Sequence, residues 1–215
     1  MYDFFLPNGL KVIMMEKHAA PKVAVMLGYN VGSHDEVEGQ KGITKLIKEI
    51  TNKGTSKYPQ VKVDKIKEEL QAKYDNAVSH DLTYFIIEIP TENIEFALDL
   101  ESDRMQNIIV SEETLSDSKI KIKTKYSSWR NNNPLDAAFT DVSLKMFPEG
   151  HPYKTSPWGI IEQVDTLSIH TCQHYYNTYF SPNNAALIIV GDIIPEDVTK
   201  LIYQYFSGLT PTQDI

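Results

Sequence analysis

Apolar positions along the chain follow two periods, one of strands and one of helices. Residues 1–5 enter a strand-like segment almost at once, Leu6-Pro7-Asn8-Gly9 reads as a turn, and the apolar run 10–15 predicts a strand. Residues 23–31 are nearly continuously apolar, as in a buried strand, and 32–42 are polar and loop-like. From 42 to 52, Ile43, Leu46, Ile47 and Ile50 fall at helical spacing, and Gly54-Thr55 ends that helix. Residues 61–73 predict a charged amphipathic helix with Val63, Ile66 and Leu70 on one face. Residues 76–89 predict two strands, the second rich in β-formers at Tyr84-Phe85-Ile86-Ile87. Helices are expected over 91–107 with Thr91 as N-cap, from Ser111 towards Asn131, from Pro134, over 167–179 and over 194–206, with a buried strand at 185–190. Adjacent strands with short links favour antiparallel pairing, and helices grouped between them favour α+β.

The length of 215 residues bounds the chain to one large domain or two small ones, enough for a core without covalent staples. A net charge of -8 argues against sequence-independent binding to nucleic acid, which needs a clustered basic patch. No run reaches the ~18 apolar residues of a membrane span. Cys172 is the single cysteine, so neither an internal disulfide nor a Cys-rich metal site is available. The N-terminus has no basic region followed by an apolar one, leaving the compartment open: cytoplasmic, or periplasmic or exported if a signal peptide has been trimmed. The end at Thr212-Gln213-Asp214-Ile215, just past the last helix, reads as a domain boundary.

His170 and His174 stand at i and i+4 with Cys172 between them, but no acidic third ligand is adjacent and Cys172 lies off that face. Ser33, Ser79 and Ser181 lack a G-x-S-x-G setting, which argues against a serine hydrolase. His151 has no identifiable nucleophile or carboxylate partner. Trp129 and Trp158 read as packing residues, with interface anchoring as the lesser reading.

Several segments in register carry a family resemblance. They are Leu6-Pro7-Asn8-Gly9-Leu10-Lys11-Val12, Gly32-Ser33-His34-Asp35-Glu36, the helix from Gly42 through Gly54-Thr55, Asn76-Ala77, Gly150-His151-Pro152-Tyr153, and Ser181-Pro182-Asn183-Asn184-Ala185 to Gly191-Asp192. Together they resemble the pitrilysin/insulinase-type zinc metallopeptidases, which include the mitochondrial processing peptidases. The resemblance implies a LuxS/MPP-like fold, an antiparallel sheet with helices packed on one face. It further implies that residues 1–215 are one domain, the N-terminal one of a longer two-domain protein.

Members of that family carry H-x-x-E-H on the first helix, two His as zinc ligands and a Glu as general base, with a third ligand, Glu, on a later long helix. Here the first His position is Lys45, the Glu position is Lys48 and the second His position is Glu49. The third-ligand region, 118–131, contains no Asp, Glu, His or Cys, and its candidate positions are Thr124, Lys125 and Tyr126. An ammonium offers zinc no lone pair, so catalytic zinc is expected to be absent and no cofactor is expected. Lys45 and Glu49, at i and i+4, have two readings: a lysine standing in for the metal's charge, or a solvated helix face of mixed charge, which is preferred.

The resemblance also marks Asn76, Ala77, Val78 and Ser79 as an edge strand to which extended peptides add, a mode that needs no zinc; an edge simply covered by a partner is the equal alternative. The functional expectation is a non-catalytic homologue that completes a chamber or binds peptides beside a second homologous domain or an active peptidase subunit. The alternatives are an active zinc peptidase with unrecognised ligands and a purely structural interaction protein.

Overall fold

The computed structural model describes residues 1–213, so the last two residues of the boundary expected at 212–215 lie outside the described residues. Six strands form one sheet: β1 (Tyr2–Phe5), β2 (Lys11–Glu16), β3 (Lys22–Tyr29), β4 (Lys73–Val78), β5 (Thr83–Pro90) and β6 (Ala185–Gly191). Their order is β1-β2-β6-β3-β5-β4. Among the described residues eight α-helices accompany them: α1 (Ile43–Thr51), α2 (Gln60–Glu69), α3 (Ile94–Arg104), α4 (Glu112–Asn132), α5 (Pro134–Lys145), α6 (Ile161–Thr166), α7 (Ile169–Tyr179) and α8 (Pro195–Phe206).

Alternation along the strands explains the layering. Val23, Val25, Leu27 and Tyr29 of β3 are buried, as are Phe85, Ile87 and Ile89 of β5 and Leu187 and Ile189 of β6. These side chains share one core with Ile43, Leu46, Ile47 and Ile50 of α1, Ala97 and Leu98 of α3, Tyr175 and Tyr176 of α7, and Val198, Ile202 and Phe206 of α8. The opposite face is only half-buried. Across the central strands it carries the row Ile86–Met26–Ile188, joined by strand register.

The sheet is mostly antiparallel, with one exception to the sequence expectation. β2 and β6 run parallel, with Val12 beside Leu187 and Met14 beside Ile189. β6 reaches the sheet through a long helical connection, which frees it from hairpin geometry and lets it insert between β2 and β3. Asn8 fastens this end of the molecule: its side-chain amide donates to the Phe206 carbonyl at 2.7 Å and to that of Leu209 at 3.0 Å.

Other differences sit at element ends. The helix expected to reach 73 stops at Glu69; Gln71 adopts φ 51° and Lys73 already belongs to β4. Thr91 is not a helix cap: a 3-10 turn, Thr91–Asn93, precedes α3, which ends at Arg104. The helix expected over 167–179 starts two residues later. Ser168 caps it, accepting the Thr171 N–H, and the short α6 lies before extended Leu167. Ser111 does cap α4, accepting the Thr114 N–H at 3.2 Å.

Beyond β2, the exposed His18 lies between two carboxylates, with Nδ1 2.5 Å from Asp192 and Nε2 2.6 Å from Glu16. Hydrogen bonds to Asp192 and then Glu16 raise its pKa above the ordinary histidine value. A raised folded-state pKa means that the bridge stabilises fully below the unfolded value of about 6.5 and is lost as pH rises through the folded value. The melting-temperature difference between wild type and His18→Gln is therefore expected to favour wild type at pH 6 and to fade as pH rises through the raised folded-state value. Thermal melts across that range check it.

Candidate functional site

The loop after β3 positions α1. Gly42 starts the helix at φ 105°, and a Cβ there would come within 2.6 Å of a Val164 methyl. The first turn of a helix leaves N–H groups without partners inside the helix. Here the buried Glu36 carboxylate accepts two, from Gly42 at 2.7 Å and from Thr44 at 3.0 Å. Burial pushes the Glu36 pKa up, while these same hydrogen bonds oppose the rise. The Thr44 hydroxyl lies 2.7 Å from the Tyr175 hydroxyl and donates to the Gly32 carbonyl at 3.2 Å, tying α1 to α7 and to the loop.

With its apolar side on the sheet, α1 turns Lys45, Lys48 and Glu49 towards α4 and the loop before α6. The preferred sequence reading, a solvated face, is corrected here, because α4 packs over α1 and shuts water out. Glu49 is 0% exposed. Lys48 Nζ donates to its Oε1 at 2.7 Å, Lys125 Nζ of α4 donates to the same oxygen at 2.7 Å, and Lys121 Nζ approaches Oε2 at 3.1 Å without hydrogen-bond alignment. Lys45 pairs with no carboxylate among the described residues; its ammonium lies 4.0 Å from the centre of the Trp158 ring. Trp158 stacks on Trp129 at 5.5 Å and meets Tyr126 at 5.7 Å, so both tryptophans pack as expected while one also receives a cation.

Electrostatics follow from this burial. Desolvation pushes the Glu49 pKa up, but the Lys48 charge and the hydrogen bonds from Lys125 and Lys48 outweigh it and hold the pKa down at about 2. Burial, followed by the neighbouring Lys48, lowers the Lys45 pKa to about 8. Burial also lowers Lys48, against the pull of Glu49.

Of the three candidates on the long helix, Lys125 reaches the site directly and Tyr126 reaches it through Trp158. Thr124 is exposed and bonds back to the Ile120 carbonyl. Lys121 was not singled out from sequence; its place four residues before Lys125, on the same helical face, was the available signal. His170 and His174 are exposed and Cys172 is buried on another face of α7, so the three do not converge. Among the described residues no three His, Cys, Asp or Glu side chains are grouped as metal ligands. His151 caps a 3-10 turn, accepting the Tyr153 N–H at 3.1 Å.

Asn76, Ala77 and Val78 lie on β4, the outer strand of the sheet. Ser79 lies past the strand's end, and its carbonyl already accepts the Ser33 N–H, so the edge expected over 76–79 stops at Val78. The Asn76 N–H donates to its neighbour Asp75 at 2.8 Å, and its side-chain amide faces that of Asn52, just past α1, at 3.3 and 3.4 Å.

Residues 11–150 match the family described as "Insulinase (Peptidase family M16)", and residues 166–214 match "Peptidase M16 inactive domain". The chain is 23% identical to a zinc protease, PqqE, of Helicobacter pylori over 206 residues, covering 95% of this chain and 46% of that protein. It is 26% identical to a probable zinc protease, PqqL, of Haemophilus influenzae, covering 96% of this chain and 23% of that protein. A crystal structure of a protease from Helicobacter pylori superposes with a TM-score of 0.90 at 23% identity, over 100% of this chain and 51% of that one. The chain thus spans about half or less of these relatives, and the structural likeness speaks for the fold.

The buried carboxylate generates a prediction. A depressed folded-state pKa contributes stability that is present above the unfolded glutamate value, about 4.3, and is lost as pH falls towards 2. Glu49→Gln leaves the buried Lys48 without its counter-charge and is expected to cost roughly 3–5 kcal/mol at pH 7. Urea denaturation of both proteins checks it, with the difference expected to shrink as pH falls below about 4.

Proposed function

Because the chain belongs to the insulinase family of peptidases, M16, we propose that it is a non-catalytic domain of that family which binds extended peptides and works beside a second homologous domain or an active homologous subunit. One observation carries the reading: the Glu49 carboxylate is engaged by Lys48, Lys125 and Lys121. Zinc needs several deprotonated donors, and activation of a zinc-bound water needs a base beside it. The residues present do not fit that demand. The only carboxylate on the α1 face is taken by ammonium groups, no imidazole reaches it, and Lys48 stands where the family motif places the base. Retained turns, glycines and core positions keep the domain folded without the metal.

The peptide-binding part of the reading rests on β4, whose outer edge has no strand beside it among the described residues. An edge of this kind accepts an added strand through main-chain hydrogen bonds, independently of metal chemistry. The partner part is supported by the chain's span of about half of its relatives and by exposed apolar surface. Leu135, Phe139 and Val142 of α5 with Met146 just beyond it form an exposed row at helical spacing, and soluble proteins rarely leave such rows uncovered.

Elemental analysis after dialysis is expected to find no stoichiometric zinc, and unfolded peptides are expected to remain intact with the purified chain. Zinc coordinated by Glu49, or hydrolysis sensitive to chelators, would overturn the non-catalytic reading. In co-purification with a homologous domain or an active homologue, the double substitution Phe139→Ser and Val142→Ser is expected to weaken association at least tenfold while leaving the melting temperature within about 2 °C. Unchanged association removes α5 from the interface.

A further inference from the structure

The charge around Glu49 does not balance. Lys121 and Lys125, which are 36% and 44% exposed, also line a cleft of ≈ 220 Å³ bounded by Asn52 just past α1, by α2, α4 and β4, and by Arg104 at the end of α3. Lys67 and Arg104 line the same cleft, and each has its own carboxylate: Asp64 lies 2.7 Å from Lys67, and Glu101 lies 2.9 Å from Arg104. Lys53 nearby is matched by Asp117 at 2.9 Å. Setting that last pair aside, five cations (Lys48, Lys67, Arg104, Lys121 and Lys125) face three carboxylates (Glu49, Asp64 and Glu101). A surplus of two positive charges is thus gathered in and beside this cleft, in a chain whose net charge is -8.

Two further features belong to the same cleft. The buried Nε of Arg104 has no hydrogen-bond partner among the described residues, a state that costs free energy unless something supplies an acceptor. Tyr74 and Asn76 bring the open edge strand β4 to the cleft wall, and Asn52 faces Asn76 there across amide contacts that are long for hydrogen bonds.

We propose that this cleft binds a carboxylate carried by an extended peptide lying along β4. The inference rests on the peptide-binding reading above and names the class of peptide. Edge pairing places the peptide main chain, and the lysine surplus selects for negative charge on it. Lys121 and Lys125 keep part of their surface in water, so they contact an anion with little desolvation cost, and their charge steers its approach. Pairing at Asn76 displaces the bond from its N–H to Asp75, so the outer neighbour of the cleft yields one contact. The carboxylate belongs either to an acidic side chain or to a peptide C-terminus, which are chemically alike here.

Fluorescence anisotropy with three short labelled peptides of one sequence separates these sources. One is neutral and amidated, one is amidated with a central Glu in place of Gln, and one is neutral with a free C-terminal carboxylate. At least one acidic arm is expected to bind about tenfold more tightly than the neutral arm, and the stronger arm identifies the source. The gain is expected to disappear in Lys121→Gln/Lys125→Gln and to persist in Lys125→Arg. The double variant leaves Glu49 its bond from the buried Lys48, a balanced pair, and melting curves confirm folding. Equal binding of all three peptides overturns the carboxylate preference and leaves edge binding intact. A preference that survives in the folded lysine variants also overturns the assignment to this cleft. No binding by any peptide overturns both this inference and the peptide-binding reading.

Discussion

The Glu49 carboxylate, shut away from water between α1 and α4, is the constraint around which this domain is arranged. A buried charge is tolerated only when it is paired and hydrogen-bonded, and here ammonium groups come from two helices that are distant in sequence. The pairing therefore fixes more than a local contact. It sets how α4 lies over α1, because Lys121 and Lys125 must both reach one carboxylate, and it leaves Lys45 to settle over Trp158. The aromatic group of Tyr126, Trp129 and Trp158 then closes the other side of α1.

A second carboxylate holds the same helix from its start. Glu36 satisfies the amide groups of Gly42 and Thr44, where the helix dipole favours negative charge. The two glutamates thus act at different ends of α1, one on main-chain donors and one on side-chain cations. Between them the apolar face of the helix is pressed on the sheet, joined to the core that α3, α7 and α8 complete. The parallel insertion of β6 between β2 and β3 makes that sheet continuous, and β4, paired only with β5, lies at its edge beside the cationic cleft.

Much of this was legible in the chain. Periods of two and of about 3.6 residues located nearly every strand and helix, because burial on one face forces apolar residues to recur at the spacing of the element. The turn at Leu6-Pro7-Asn8-Gly9, the cap at Ser111, and the segments carrying the insulinase resemblance set the family and the α+β class. Lys45, Lys48 and Glu49 were identifiable as the residues at the motif positions because those positions depend only on spacing along one helix. Element ends were less legible: Thr91 is as good a cap in composition as Ser111, but the chain there follows a 3-10 turn instead.

Tertiary structure alone decided what the charged face of α1 does. From sequence, Lys45, Lys48 and Glu49 read as a solvated mixed-charge surface, since nothing within a helix reports what packs over it. Only the docking of α4 buries Glu49, recruits Lys121 and Lys125, and separates Lys45 from its i+4 neighbour. Likewise the parallel pairing of β2 with β6, and the loss of Ser79 from the open edge to a bond from Ser33, depend on segments brought together from afar. Sequence determined the elements and the residues on offer, because local backbone geometry and side-chain period are properties of short stretches. Which charges meet, and which edge stays open, was left to contacts between residues far apart in the chain.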